Sequence, residues 1–230
     1  MDEPECLICG CGLRYLGRSK KMACSICHRE YESDSVCVNG HYVCDGCHSG
    51  SAESAILHIC CETDFDDPYS IAYAIMSDPS VHMHGPEHHM IVGCSLITAY
   101  RNAGGDINLR PALAEMIARG RTVPGGSCGN AGCCGAAVSA GMAFSIITGT
   151  APLSTKTWGE ANLLTSECLA RIGSVGGPRC CKRDTALAIE TAVGFIGDRL
   201  GVRMSLPKDI ACGFSARNNW CLGSGCPYNR

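Results

Sequence analysis

Asp184-Thr185-Ala186-Leu187-Ala188-Ile189-Glu190-Thr191-Ala192-Val193-Gly194-Phe195-Ile196-Gly197-Asp198-Arg199-Leu200-Gly201 reads as one helix. Ala186, Ile189, Val193, Ile196 and Leu200 recur at intervals of three and four residues, which puts them on one face of an α-helix. Asp184 suits the N-cap, and Gly201 falls just past the end, where a left-handed residue closes many helices. The same kind of signal repeats outward from this run. Asp67-Pro68 opens a short helix through Met76, Pro86 stands at the first position of another running through Asn102, and further helices cover 110 to 119 and 156 to 172. The stretch Gly135-Ala136-Ala137-Val138-Ser139-Ala140-Gly141-Met142-Ala143-Phe144-Ser145 is small on every side and suits a central helix approached closely by its neighbours. β-branched alternation is nearly absent after residue 50. The fold class is therefore mostly α: a compact helical metal-binding domain over 51–230, preceded over 1–50 by a small zinc-ribbon or cross-brace module.

Composition limits what such a chain does. With 230 residues, 46% of them hydrophobic and 18% charged, it can bury one sizeable core and carry a small extra module, so a disordered tail is excluded. Nineteen Lys and Arg are scattered among 22 Asp and Glu for a net charge of -3, which gives no electrostatic reason to expect nucleic acid. No apolar run reaches the 18 residues or so that span a bilayer, and Met1-Asp2-Glu3-Pro4-Glu5-Cys6 has neither the basic nor the apolar part of a signal peptide. No membrane is expected as a partner, and the location expected is cytoplasmic. Cysteine is the outlier at 20 residues. Reduced thiols in clusters are used for metal binding more than for disulfides in that compartment.

Eight cysteines fall in the first 50 residues, and seven of them with His41 make four pairs: Cys6-x2-Cys9, Cys24-x2-Cys27, Cys37-x3-His41 and Cys44-x2-Cys47. A pair two residues apart in a tight turn aims both sulfurs at one ion, and two pairs complete a closed tetrahedral zinc site. Four pairs make two sites, so two Zn2+ are expected. Sequential pairing joins the first pair to the second and the third to the fourth; cross-brace pairing joins the first to the third and the second to the fourth. Spacing alone leaves both open. Cys11, His28 and His48 are left over beside the knuckles, and any of them could replace His41. The segment has almost no apolar periodicity, so metal binding is its main source of order.

The other twelve cysteines sit differently. Pro124-Gly125-Gly126-Ser127-Cys128-Gly129-Asn130-Ala131-Gly132-Cys133-Cys134-Gly135 is a glycine-rich loop feeding the small-residue helix. Gly176-Gly177-Pro178-Arg179-Cys180-Cys181-Lys182-Arg183 also precedes a helix, where three cations and amide N–H groups are expected to lower a thiol pKa. The third group is Cys212-x8-Cys221-x4-Cys226-Pro227, a Cys-Pro ending familiar from ferredoxins at a different spacing. Taken together the three loops suggest one [4Fe-4S] cluster, with ligands drawn from Cys128, Cys134, Cys180, Cys181, Cys212, Cys221 and Cys226. Cys60, Cys61, Cys94 and Cys168 lie in apolar helical context and read as core residues.

Four imidazoles and a carboxylate crowd into His82-Met83-His84-Gly85-Pro86-Glu87-His88-His89. Neutral imidazole can move a proton at cellular pH, which makes His84 and His88, with Glu87, candidate acid–base residues. Arg179 and Lys182 are candidates to hold an anion.

At Met83-His84-Gly85-Pro86-Glu87-His88-His89, Gly125-Gly126-Ser127-Cys128-Gly129, Gly177-Pro178-Arg179-Cys180-Cys181-Lys182-Arg183 and the terminal Cys221 and Cys226-Pro227, the chain resembles a family catalogued only as a domain of unknown function, over about residues 55 to 230. The resemblance implies anaerobic archaea and bacteria, partnership with radical or methyl-transfer enzymes, and anaerobic sulfur or one-carbon chemistry. A fainter likeness joins the helix after Cys134 to the cluster-bearing domain of iron-sulfur serine dehydratases. The expectation is then an iron-sulfur enzyme with structural zinc that catalyses sulfur transfer or a lyase-type elimination on a small anionic or thiol substrate. The alternative is a non-catalytic accessory, maturation or electron-transfer protein, with a partner enzyme docking through the zinc module.

Overall fold

The computed structural model describes residues 6 to 9 and 11 to 229. Residues Met1 to Glu5, read above as neither signal nor anchor, lie outside the described residues. The chain divides into two compact units, Met1–Gly50 and Ser51–Arg230.

The first unit is built on a β-hairpin, β1 (Leu13–Ala23) and β2 (Glu30–Cys37), paired antiparallel with Leu13 opposite Cys37 and Ala23 opposite Glu30. Register shifts between Tyr15 and Lys20, where β1 bulges. Most of β1 is exposed, and burial is concentrated at Val36 and Cys37 at the end of β2. A strand pair with so little apolar surface is not stable by itself in water. Its lack of alternation is also why it is silent in the sequence. Helix α1 (Asp45–Glu62) carries the last cysteine pair at its start, runs past the unit boundary and buries Ala52, Ile56 and Cys60 at intervals of four residues.

The second unit is mostly helical. After α1 come α2 (Pro68–Ser77), α3 (His88–Asn102), α4 (Leu109–Gly120), a single turn α5 (Ser127–Asn130), α6 (Gly135–Ile147), α7 (Lys156–Val175) and α8 (Cys181–Leu200). Asp67 caps α2, its carboxylate accepting from the Tyr69 and Ser70 amides at 2.9 and 3.2 Å. Helix α3 is the centre: everything from His88 to Tyr100 is buried, and it packs against α2, α4, α6 and α8. A helix covered on all sides needs neighbours that come close, and α6 supplies the small surface. A methyl at Gly135 would come within 2.0 Å of His89 Cδ2, and one at Gly141 within 2.0 Å of Thr165 Oγ1 on α7. Phe144 of α6 meets Phe195 of α8 edge to face, with centroids 5.5 Å apart.

Two helix starts differ from the sequence reading. Helix α3 begins at His88, with Pro86 and Glu87 in the preceding turn. Helix α8 begins at Cys181 with Cys180 in the cap position, so Asp184 is not the N-cap; it lies in the first turn and pairs with Arg183 at 3.0 Å. Gly201 does end α8, at φ +73°. Beyond it, residues 202 to 229 run without regular helix except for two short 3-10 turns, Ser215–Arg217 and Gly223–Gly225. This segment is tied back onto the bundle by Ser205, whose amide donates to Asp66 O at 3.1 Å, and by Tyr228, whose hydroxyl donates to Glu190 at 2.5 Å.

Candidate metal centres

The eight donors of the first unit gather into two four-residue groups. Cys6, Cys9, Cys37 and His41 form one, Cys24, Cys27, Cys44 and Cys47 the other, with the ligand atoms of each within 4.8 Å of one another. The pairing is therefore crossed: first pair with third, second with fourth. The hairpin is what crosses it. Antiparallel pairing brings the Cys37 end of β2 back beside the residues that precede β1, while Cys24 and Cys27 sit in the turn between the strands.

Within the first group the Cys9 and Cys37 sulfurs are 3.5 Å apart, and His41 Nδ1 is 3.3 Å from Cys9 Sγ. Within the second, Cys27 and Cys44 are 3.8 Å apart. Four sulfurs at about 2.3 Å from one zinc ion stand about 3.8 Å from each other, so both groups have the edge length of a closed tetrahedral site. Backbone amides of Ile8, Ile26 and Asn39 donate to the sulfurs of Cys6, Cys24 and Cys37 at 3.4, 3.5 and 3.3 Å. A donated Cys11 amide leads the effects that bring Cys9 down to about 6. Burial works against ionisation of Cys24, but the amides of Cys44, Cys27 and Ile26 prevail and hold it at about 6. Cys11, His28 and His48 stand outside both four-donor groups.

The helical domain is different, and it overturns the [4Fe-4S] expectation. Among the described residues of 51–230 no three cysteine, histidine or carboxylate donors lie within 4.8 Å of one another. The close-set thiols among the described residues are the N-terminal ones, at the spacing of single ions, and of the seven cysteines expected to share a cluster, Cys128, Cys134 and Cys181 lie apart from the other four. Cys128 lies in α5, and Cys134 at the start of α6 has its sulfur 3.9 Å from Asp184 Oδ2. Cys180 lines a narrow cavity together with Cys212, Cys221 and Cys226, and its neighbour Cys181 does not, because successive residues entering a helix point in different directions. With the cluster go the iron-sulfur sulfur-transfer or lyase chemistry and the electron-transfer alternative built on it.

The expected low thiol pKa at Cys180 and Cys181 is also reversed. Burial raises Cys180 and pushes Cys181 up to about 12, outweighing the helix-start amides and the nearby Arg179 and Arg183 charges. Cys60, Cys94 and Cys168 are fully buried, as core residues should be, and Cys61 is partly exposed.

The histidine-rich loop is a packed structural element. Glu87 is completely buried and accepts the His82 amide at 3.0 Å, with His82 Nδ1 3.4 Å from the same oxygen. His88 Nε2 is 3.2 Å from His82 O, and burial lowers its pKa to about 3. His89 Nδ1 is 3.0 Å from Val123 O. Met83 of this loop lines the cavity, and His84 Nε2 is 3.3 Å from Oδ1 of Asn218, which also lines it; burial first, then Arg179, lowers His84 to about 4. Lys182 lines the cavity itself. It is buried, donates to Met76 O at 3.2 Å, lies 5.0 Å from the Phe214 ring centroid, and is lowered by burial to about 8. Among the described residues, no helix is long and apolar enough to cross a membrane.

A family model described as a family of unknown function (DUF5714) matches residues 56–229. No curated protein matches the chain, and no solved structure does.

Proposed function

Since the chain belongs to DUF5714, a family of unknown function, we propose its role from its own sites: it is a zinc protein whose N-terminal module is held folded by two structural zinc ions in a cross-brace. One observation carries this reading, the two interleaved sets of four donors, Cys6, Cys9, Cys37, His41 and Cys24, Cys27, Cys44, Cys47. Four protein donors on each ion leave no open position for water or substrate, which is the pattern of structural zinc; catalytic zinc keeps a fourth place free. Zinc also supplies what the hairpin lacks, since a closed site contributes on the order of 10 kcal/mol of folding free energy in a segment without a core. The setting we assign is the reducing cytoplasm of an anaerobic archaeon or bacterium, where 20 cysteines persist as thiols and metal ligands.

The test compares metal content after single substitutions in the full-length protein. Cys9→Ser and Cys24→Ser should each remove about one zinc per chain, the second leaving the first site loaded. If neither substitution changes the zinc content, the module is not a two-zinc cross-brace.

A further inference from the structure

We propose that Cys180, Cys212, Cys221 and Cys226 form a third metal site, in the helical domain, that takes a single thiophilic divalent cation of the zinc type. Of the twelve cysteines after residue 50, these four line one cavity, and it has about 20 Å³ of room. That is space for about one water. It is an ion's space, far below the several hundred Å³ of an organic ligand pocket.

Local geometry at these sulfurs repeats that of the zinc module. The Phe214 amide donates to Cys212 Sγ at 3.3 Å, and the Gly223 amide to Cys221 Sγ at 3.4 Å. Both are bonds from residue i+2 back to the thiol. The same turn, at 3.3 to 3.5 Å, holds Cys6, Cys24 and Cys37, three of the eight donors assigned to zinc. Cys180 has a side-chain donor instead, Asn218 Nδ2 at 3.5 Å. Three of the four sulfurs thus receive N–H donors.

Charge points the same way. Lys182 is 3% exposed and lines the cavity; a backbone carbonyl and a ring face meet its ammonium group, and the buried Glu87 carboxylate offsets part of the cost of its burial. Arg217, 5.4 Å from the centroid of the same Phe214 ring, adds a second cation. Four thiolates around a divalent ion supply a further net charge of about -2 beside these two cations. Soft thiolate donors select zinc-type ions over calcium or magnesium.

No three of these thiols lie within 4.8 Å of one another, so binding must draw the sulfurs inward to about 3.8 Å. The chain is able to do so at the C-terminal side, because Cys212, Cys221 and Cys226 sit on turns and loops and not on a packed helix. The reaction is M2+ plus four thiols going to a tetrathiolate complex, with four protons released to solvent and no change of oxidation state.

The experiment uses full-length protein loaded with zinc and then freed of loosely held metal. The double variant Cys212→Ser/Cys221→Ser should hold about one zinc per chain fewer than wild type, and its cobalt-loaded form should lose part of the thiolate-to-cobalt absorption. Equal zinc content in both overturns the proposal. Alkylation of the wild type, read by mass spectrometry, keeps the idea falsifiable if the variant does not fold: added zinc should protect all four cysteines, and equal labelling with and without zinc overturns it. The module's donors are intact in these samples, so failure here is separate from failure of the cross-brace, which is read at Cys9 and Cys24.

Discussion

The two units of this protein use cysteine in opposite ways. In residues 6 to 50 the buried side chains are chiefly the ligands themselves, Cys6, Cys24, Cys37 and Cys44, and the strands between them are exposed. In the helical domain the buried set is Ile, Leu, Met, Ala and Phe, and Cys60, Cys94 and Cys168 sit among them as small hydrophobic residues. A thiol is a ligand where amides and other donors converge on it, and core filling where apolar helices do. The number of cysteines decides neither case.

This contrast is sharpest when the metal is taken away. A strong chelator should abolish protection of the β1 and β2 amides, a loss on the order of 10 kcal/mol per site, while the amides of α3 and α6 keep theirs. Hydrogen exchange measures both in one sample. Loss of protection in α3 together with the hairpin would show that the helical core also depends on metal.

The reciprocal perturbation should spare the module. Phe144 is fully buried against Phe195, so Phe144→Ala should cost about 3–5 kcal/mol of helical-domain stability in a denaturant titration followed by Trp158 and Trp220, both of which lie after residue 50. Zinc bound at the module should not change. A loss of module zinc would break the separation.

Acid gives the most local effect. His88 titrates near 6.5 when unfolded and only near 3 when folded, because burial disfavours its charged form. As pH falls below about 6.5 the unfolded state binds a proton that the folded state refuses. The stability from keeping His88 neutral is therefore complete above 6.5 and lost progressively toward 3. His88→Gln should flatten the fall in helical stability by up to about 1.4 kcal/mol per pH unit, the limit for one proton, as read by denaturation at several pH values. An unchanged slope would mean that His88 is not the group being kept neutral.

Periodicity made the helical domain legible. The Asp67-Pro68 start, the Gly201 stop and the all-round small surface of 135 to 145 are local signals, and α2, α8 and α6 carry them. The hairpin was not legible, because it shows no apolar pattern and its order comes from donors distant in sequence; α1 was missed although Ala52, Ile56 and Cys60 along it are buried in the core. Expecting one iron-sulfur cluster was an error of a related kind. Three glycine-rich or cationic loops that each present thiols look convergent in one dimension, but the turn into α8 points Cys180 into the cavity and leaves Cys181 out of it.

The sequence by itself determined the two-part organisation, the mostly helical class and the eight paired donor residues, because donor pairs two or three residues apart and a 3.6-residue period are set by local backbone geometry. Only the tertiary structure decided which pairs share an ion, which thiols face one cavity, and which histidines stay neutral in the core. Those outcomes depend on distances between residues far apart in the chain and on burial, and neither is fixed until the hairpin closes and the helices pack.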